Sequence, residues 1–500
     1  LNGGFMIEEL RKYQEEIANI EYTCNLLKWE LRINAPKKSQ NDLVNLISYY
    51  DMKVFNLKTS DEYGKILYDA IESEEFSRLE EAEVRYIKNL LRHYEQFRKV
   101  PETFYNEYSK MKNKANLVWK DAKENNDFNM FKPYLSKIIE MTKEYYTYIG
   151  GSFANNLYDV MLNEYETGVK SELIDKLFEE LKVGILPLIP KENKDVEQIC
   201  KKYSDEELLN CAEYLLKYIG FDMDRGTIGI YPHGYTEKLG PNDIRIAIRN
   251  SNDPIDFVST IIHEGGHGIF EQNIKENLSQ YENTTVDNLY ALHESQSRFY
   301  ENILGRNKNF WIPIYDDVRK LLRLDVDIDE FVSMLNTPKC GSIRVNADEL
   351  TYCMHIILRY EIERDLFNGS LTVDEIPEVW KKKTHEYLNV DVGNDSEGLM
   401  QDVHWSEGNF GYFPSYLMGS IYDGMFLEKI EQDLGSIDDI LREGRIGEIT
   451  NYLISNIYKN GGAYTSLEII DKMCGKELSA EPLVNYFQSK YDHTLVKKRK

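Results

Sequence analysis

The chain has 500 residues, 42% of them hydrophobic, so it can bury a large core and is far too long to be a disulfide-stapled miniature. Acidic residues number 85 against 60 basic ones, a formal net charge of −25, and the isoelectric point is near 4.9. This balance excludes whole-surface attraction to nucleic acid or anionic lipid, so neither partner is expected, and an anion-binding pocket must be built locally from a few arginines.

Leu1 to Phe5 precede Met6 without a basic stretch leading into an apolar segment; they are expected to be an added leader, not a secretion signal. No apolar run is long enough to span a bilayer, so a cytoplasmic protein is expected. From Met6 onward apolar residues recur every three or four positions. Ile7, Leu10, Ile17 and Ile20 do so first, then Leu173, Ile174, Leu177, Phe178 and Leu181, which predicts amphipathic helices. The same spacing over Leu321 to Leu335 and Ile449 to Tyr458 predicts two more. No fixed period repeats, and the 13 prolines and 30 glycines are not gathered into a linker, so the chain reads as one mainly α body. Cys24, Cys200, Cys211, Cys340, Cys353 and Cys474 form no C-x-x-C pair and read as reduced thiols.

One segment breaks the helical pattern. Asp243 to Arg249 alternates strictly, with Ile244, Ile246 and Ile248 on one face and Asp243, Arg245 and Ala247 on the other, which predicts a strand. Thr227 to Tyr231 is expected to pair with it antiparallel across a Gly234 to Asn242 loop. Asp253 and Pro254 then suit the cap and first turn of a helix. That helix carries His263-Glu264-Gly265-Gly266-His267, whose four-residue separation puts both imidazoles on one face, near enough to share an ion. Imidazole nitrogens suit zinc, and an acidic neighbour can take a proton from water. Three glycines in this helix, Gly265, Gly266 and Gly268, each cost about 1 kcal/mol relative to alanine, so a close approach of other backbone or of substrate is expected there. A catalytic zinc normally has three protein ligands, and downstream either His293 or Glu294 could be the third. Spacing alone does not choose between them.

In these residues the chain resembles the carboxypeptidase Taq family of zinc metallocarboxypeptidases. The resemblance runs in order through His233-Gly234-Tyr235, Asp243 to Ala247, His263 to His267, His293 to Gln296, Ile343 to Glu349 and Gly398 to Trp405, and on into Gly411 to Tyr416. It departs from the family's pattern where Ala247 replaces a threonine and Gly234-Tyr235 replaces Pro-Phe. It implies a compact, mainly helical body with a deep groove and a small sheet beside the metal helix, akin to angiotensin-converting enzyme and neurolysin. It also implies a homodimer, and a single metallocarboxypeptidase domain over residues 6–500. The implied cofactor is one zinc per chain, with cobalt as a substitute, held by His263, His267 and Glu294, with Glu264 as general base.

On that resemblance the expected activity is release of single amino acids from the free carboxyl end of peptides. Charge growing on the carbonyl oxygen needs donors beside it, for which Tyr416, Tyr412 and His404 are candidates, with His404 and Tyr416 placed in catalysis. A guanidinium can grip a terminal carboxylate through two parallel hydrogen bonds, and Arg344 and Arg245 are the candidates. Their plain alternatives are ion pairs, Arg344 with Asp348 and Arg245 with Asp243. His233, Tyr412 and Gln401 complete the expected substrate contacts. The rivals are a zinc oligopeptidase that cuts internal bonds and a peptide-binding relative without catalysis. The basic tail Lys497 to Lys500 is read as a solvated end.

Overall fold

The structure is a computed structural model that describes residues 6–150, 156–193, 199–279 and 289–491; the expected leader and the basic tail lie outside them. The elements that position the site are helices α1 (Met6–Ile33), α2 (Ser171–Ile185) and α3 (Asp205–Ile219), then strands β1 (Gly226–Tyr231), β2 (Tyr235–Gly240) and β3 (Asp243–Arg249). Helices α4 (Pro254–Gln272), α5 (Tyr290–Arg298), α6 (Tyr315–Leu321), α7 (Ile328–Asn336), α8 (Glu349–Asn368), α9 (Phe413–Leu434), α10 (Ile446–Asn456) and α11 (Glu481–Tyr491) follow. The mainly α expectation holds. No helix among the described residues is long and apolar enough to cross a membrane.

The amphipathic stripes behave as their spacing predicts. Ile7, Leu10 and Ile17 of α1 and Ile174, Leu177, Phe178 and Leu181 of α2 are buried in one cluster of apolar side chains that extends to Phe487. The Leu321 to Leu335 segment, by contrast, is not one helix. It breaks at Arg323, whose positive φ of 51° lies outside helical geometry, and α7 starts afresh where the Asp327 carboxylate accepts from the Glu330 N–H at 2.9 Å. Tyr458 likewise falls beyond the end of α10.

The sheet also differs from expectation. It is mixed and three-stranded, in the order β1-β3-β2, with β3 parallel to β1 and antiparallel to β2. The segment expected as a loop is itself β2, because Pro241-Asn242 closes a tight hairpin between Gly240 and Asp243, and a two-residue connection joins antiparallel neighbours. β1 is thereby left the other edge of β3. Ile244, Ile246 and Ile248 are fully buried, and the opposite face is only partly open to water: Arg245 lies over the Trp29 ring of α1, and Ala247 is itself buried.

Helix α5 is gripped between two others at backbone distance. A Cβ on Gly266 of α4 would stand 2.7 Å from Gln296 O and 2.7 Å from Ser297 Cα. A Cβ on Gly419 of α9 would stand 2.8 Å from Ala291 O and 2.9 Å from Ser295 N. Only glycine fits at either contact, and α4, α5 and α9 pack as one layer.

Candidate metal centre and substrate groove

Asp253 caps α4 by accepting from the Ile255 N–H at 2.8 Å, and Pro254 opens its first turn, as expected. Two turns on, His263 and His267 project from one face, their ring centroids 5.0 Å apart. The close seating of α5 brings Glu294 opposite them. Its Oε2 lies 3.6 Å from His267 Nε2 and 4.0 Å from His263 Nε2, and the three donors fall within 4.8 Å of one another. Of the two alternatives for a third donor, Glu294 therefore joins the cluster. His293 turns its ring flat against His267, with centroids 4.3 Å apart and planes at 17°.

Two members of this trio are tied back by their other polar atoms. His263 Nδ1 sits 2.9 Å from Glu301 Oε2, and Arg298 Nε donates to Glu294 Oε1 at 2.8 Å. Two imidazole Nε2 atoms and one carboxylate oxygen are thus left facing a common point. Tetrahedral zinc bonds of about 2.1 Å would set donors about 3.4 Å apart, and the 3.6 and 4.0 Å spacings of Glu294 Oε2 need only a small contraction to match. The residues fit a divalent metal. Burial opposes a charge on His263, but the Glu301 hydrogen bond and the charges of Glu294, Glu301 and Glu264 raise it to about 9. Burial and the neighbouring His293 hold His267 down at about 3. Glu294 titrates well below the usual carboxylate range, because Arg298 and the two histidines outweigh its burial.

Glu264 points into the same space. The Thr236 hydroxyl of β2 lies 2.8 Å from its Oε2, and burial raises its pKa against the pull of His263 and Thr236. The departure at Gly234 bears on this group: a Cβ there would stand 2.5 Å from Thr260 Cγ2 and 3.1 Å from Glu264 Oε1, so the glycine lets the strand connection close over the carboxylate. Tyr235, the other departure, carries Arg32 over its ring at 4.9 Å.

These groups open into a groove whose walls also include His233, Arg344, Tyr352, Tyr412 and Tyr416. His233 is exposed at the rim. Arg344 is 7% exposed and pairs with neither its expected partner nor solvent. Its Nε and Nη2 donate to Asp402 Oδ1 at 3.0 and 2.9 Å, and its Nη1 donates to the Tyr352 hydroxyl at 3.0 Å. Asp348 instead caps α8, accepting from the Leu350 and Thr351 N–H groups. The second oxygen of Asp402 accepts from Arg359 Nε at 2.7 Å, and the two guanidiniums hold Asp402 well below its ordinary pKa in spite of its burial.

Three expected contacts lie behind the groove wall and do not line it. Arg245 is bound to Asp243 through two hydrogen bonds of 2.9 Å, the ion-pair alternative. Gln401 spends its amide on backbone, accepting from the Arg344 N–H at 2.7 Å and donating to Ser342 O at 2.8 Å, so it shapes the loop that carries Arg344. His404 reaches the groove through Tyr416, with Nε2 3.3 Å from the phenol oxygen; burial keeps it neutral, at about 3. Burial also raises Tyr416 well above its ordinary value, so its hydroxyl stays protonated and able to donate.

Several site groups escape sequence reasoning. Arg298, four residues after Glu294 in a helix, is visible from spacing. Glu301 is not, since it stands in a π-helical stretch, Phe299–Leu304, whose wider turn swings it toward His263. Thr236, Glu271, Arg359 and Asp402 act across elements distant in sequence, and periodicity carries no sign of them.

Comparison with known proteins agrees with this geometry. A family model described as carboxypeptidase Taq (M32) metallopeptidase matches residues 9–491. Carboxypeptidase 1 of Bacillus subtilis is 36% identical over 499 residues, covering 98% of this chain and 97% of its own. Thermostable carboxypeptidase 1 of Thermus thermophilus is 29% identical, covering 97% of this chain and 98% of its own. The crystal structure of an M32 carboxypeptidase from Deinococcus radiodurans R1 superposes with a TM-score of 0.92 at 26% identity, covering 97% of this chain and 98% of that one.

Proposed function

The chain belongs to the carboxypeptidase Taq (M32) metallopeptidase family, and from that premise we propose that it removes single amino acids from the free carboxyl end of peptides, using zinc held by His263, His267 and Glu294. The observation that carries the reading is the convergence of three uncommitted donor atoms beside Glu264 in an open groove. A divalent ion bound there supplies a Lewis acid for the scissile carbonyl and lowers the pKa of water toward neutrality.

The chain's own residues do the rest. Glu301 and Arg298 fix the orientation of His263 and Glu294. Glu264, with its basicity raised by burial, takes a proton from the attacking water and hands it to the departing amine. The Tyr416 hydroxyl donates to the carbonyl oxygen as charge gathers on it, a role supported by its protonated state and by His404 Nε2 3.3 Å away. Arg344, fixed by Asp402 and Tyr352, retains two of its five N–H groups for a terminal carboxylate.

The test is mass spectrometry of the products from matched free-acid and amidated peptides, with and without chelator. Stepwise loss of single residues from the free acids alone, abolished by chelation and restored by zinc, is expected. Internal fragments would instead establish an oligopeptidase, and metal-loaded protein inert to every peptide would establish a binding relative.

A further inference from the structure

Behind His267 lies a chain of buried charge that the proposed reaction does not use. Lys238 of β2 and Glu271 of α4 are each 4% exposed, with Nζ 3.0 Å from Oε2. The other oxygen of Glu271 lies 3.1 Å from His293 Nε2. Both contacts are short, although neither has hydrogen-bond geometry. Beyond them, the face of His293 covers the face of His267, and Phe270 meets the His293 ring edge-on at 5.4 Å and 90°.

A buried lysine–glutamate pair gains little stability over apolar residues of the same volume, because taking two charges out of water costs about as much as their attraction returns. Its location is therefore informative. Glu271 touches His293 at its ring nitrogen, and the His293 ring in turn lies flat on His267. His267 Nδ1 is buried without a hydrogen-bond partner, so nothing like the Glu301 contact of His263 holds this ring.

We propose that Lys238, Glu271 and His293 form a positioning chain that sets the plane of the His267 imidazole, taking for His267 the part that Glu301 takes for His263. The inference rests on the metal reading above. Its signature is a change in metal affinity and ligand field with no change in substrate binding.

The test compares the wild type with Glu271→Gln and with the paired variant Lys238→Met/Glu271→Leu, which removes both charges together and leaves no buried ion unpaired. Zinc affinity is measured by competition with a chromophoric chelator, cobalt-loaded protein is followed by its visible d–d bands, and KM is measured with a short free-acid peptide. The expected result is a roughly 10- to 100-fold weaker zinc affinity with shifted cobalt bands, at unchanged KM. Adding His293→Leu to the paired variant should weaken zinc by little more, since all three residues act through one ring. A folded paired variant with wild-type zinc affinity and an unaltered cobalt spectrum would overturn the positioning role. Failure of the wild type itself to bind zinc would instead overturn the metal reading.

Discussion

Replacing Gly266 by alanine tests whether backbone contact between α4 and α5 assembles the metal site. The new Cβ would stand 2.7 Å from Gln296 O and Ser297 Cα, where ordinary contact begins at 3.4 Å, a shortfall of 0.7 Å against backbone that cannot swing aside. The helices must part by about that much. One carries His263 and His267 and the other Glu294, while metal sites tolerate only about 0.2 Å in ligand distance. Zinc affinity should therefore fall at least 10-fold, with stability lower by about 1–3 kcal/mol from overpacking. Gly265→Ala is the control. Its Cβ would meet Ile219 Cδ1 at 2.5 Å and Leu216 Cδ2 at 2.7 Å, the ends of side chains able to move, and alanine favours the helix by about 1 kcal/mol. Chelator competition and thermal unfolding of both variants make the comparison. Wild-type zinc affinity in Gly266→Ala, or equal losses in the two variants, would refute the reasoning.

Other perturbations separate the roles of individual groups. Glu264→Gln should bind zinc as the wild type does yet lose about 10²- to 10⁴-fold in kcat; turnover near the wild-type rate would remove it from proton transfer. Arg344→Ala should lower kcat/KM for free-acid peptides roughly 10- to 100-fold; a wild-type value for them would exclude it from carboxylate recognition. Asp402→Asn should cost about 3–5 kcal/mol at pH 7 by leaving two buried guanidiniums without their anion. Because Asp402 titrates well below its unfolded value of about 3.9, its contribution is complete above that pH and is lost as pH falls toward the folded value, so the gap between the two proteins should start to narrow below about pH 4. Urea unfolding across pH 3 to 8 measures this, and a constant gap would refute it.

How much of this was legible in sequence follows from the physics of each element. Helices α1 and α2 bury one stripe, so their periodicity shows. Helix α8 is buried nearly all round, from Glu349 through Glu363, and a helix without a solvent face has no stripe to read. The histidine pair on α4 was visible because four residues make one turn, whereas the choice of Glu294 over His293 depends on which face of α5 two glycine contacts press toward α4. The β2 strand was hidden because Tyr235, Glu237 and Leu239 alternate with Thr236 and Lys238, polar residues whose burial is repaid by Glu264 and Glu271. Long-range partners made that segment a strand.

The same dependence on distant partners explains how an acidic protein can offer a cationic subsite. A guanidinium bound to one buried carboxylate is a neutral pair and has little attraction left for a second anion. Asp402, however, is shared: one oxygen faces Arg344 and the other faces Arg359, which is fully buried and lies over the Trp380 ring at 4.7 Å. Two cations and one anion leave one positive charge in the cluster, and only Arg344 of the three lines the groove. Arg359 thus sets the charge that Arg344 presents to the groove without itself lining it. The Gln-Asp pair at 401 and 402 acts on the same arginine, Gln401 through the backbone N–H of Arg344 and Asp402 through its guanidinium, so Gln401, expected as a substrate contact, works in the fold as part of the mount for that guanidinium.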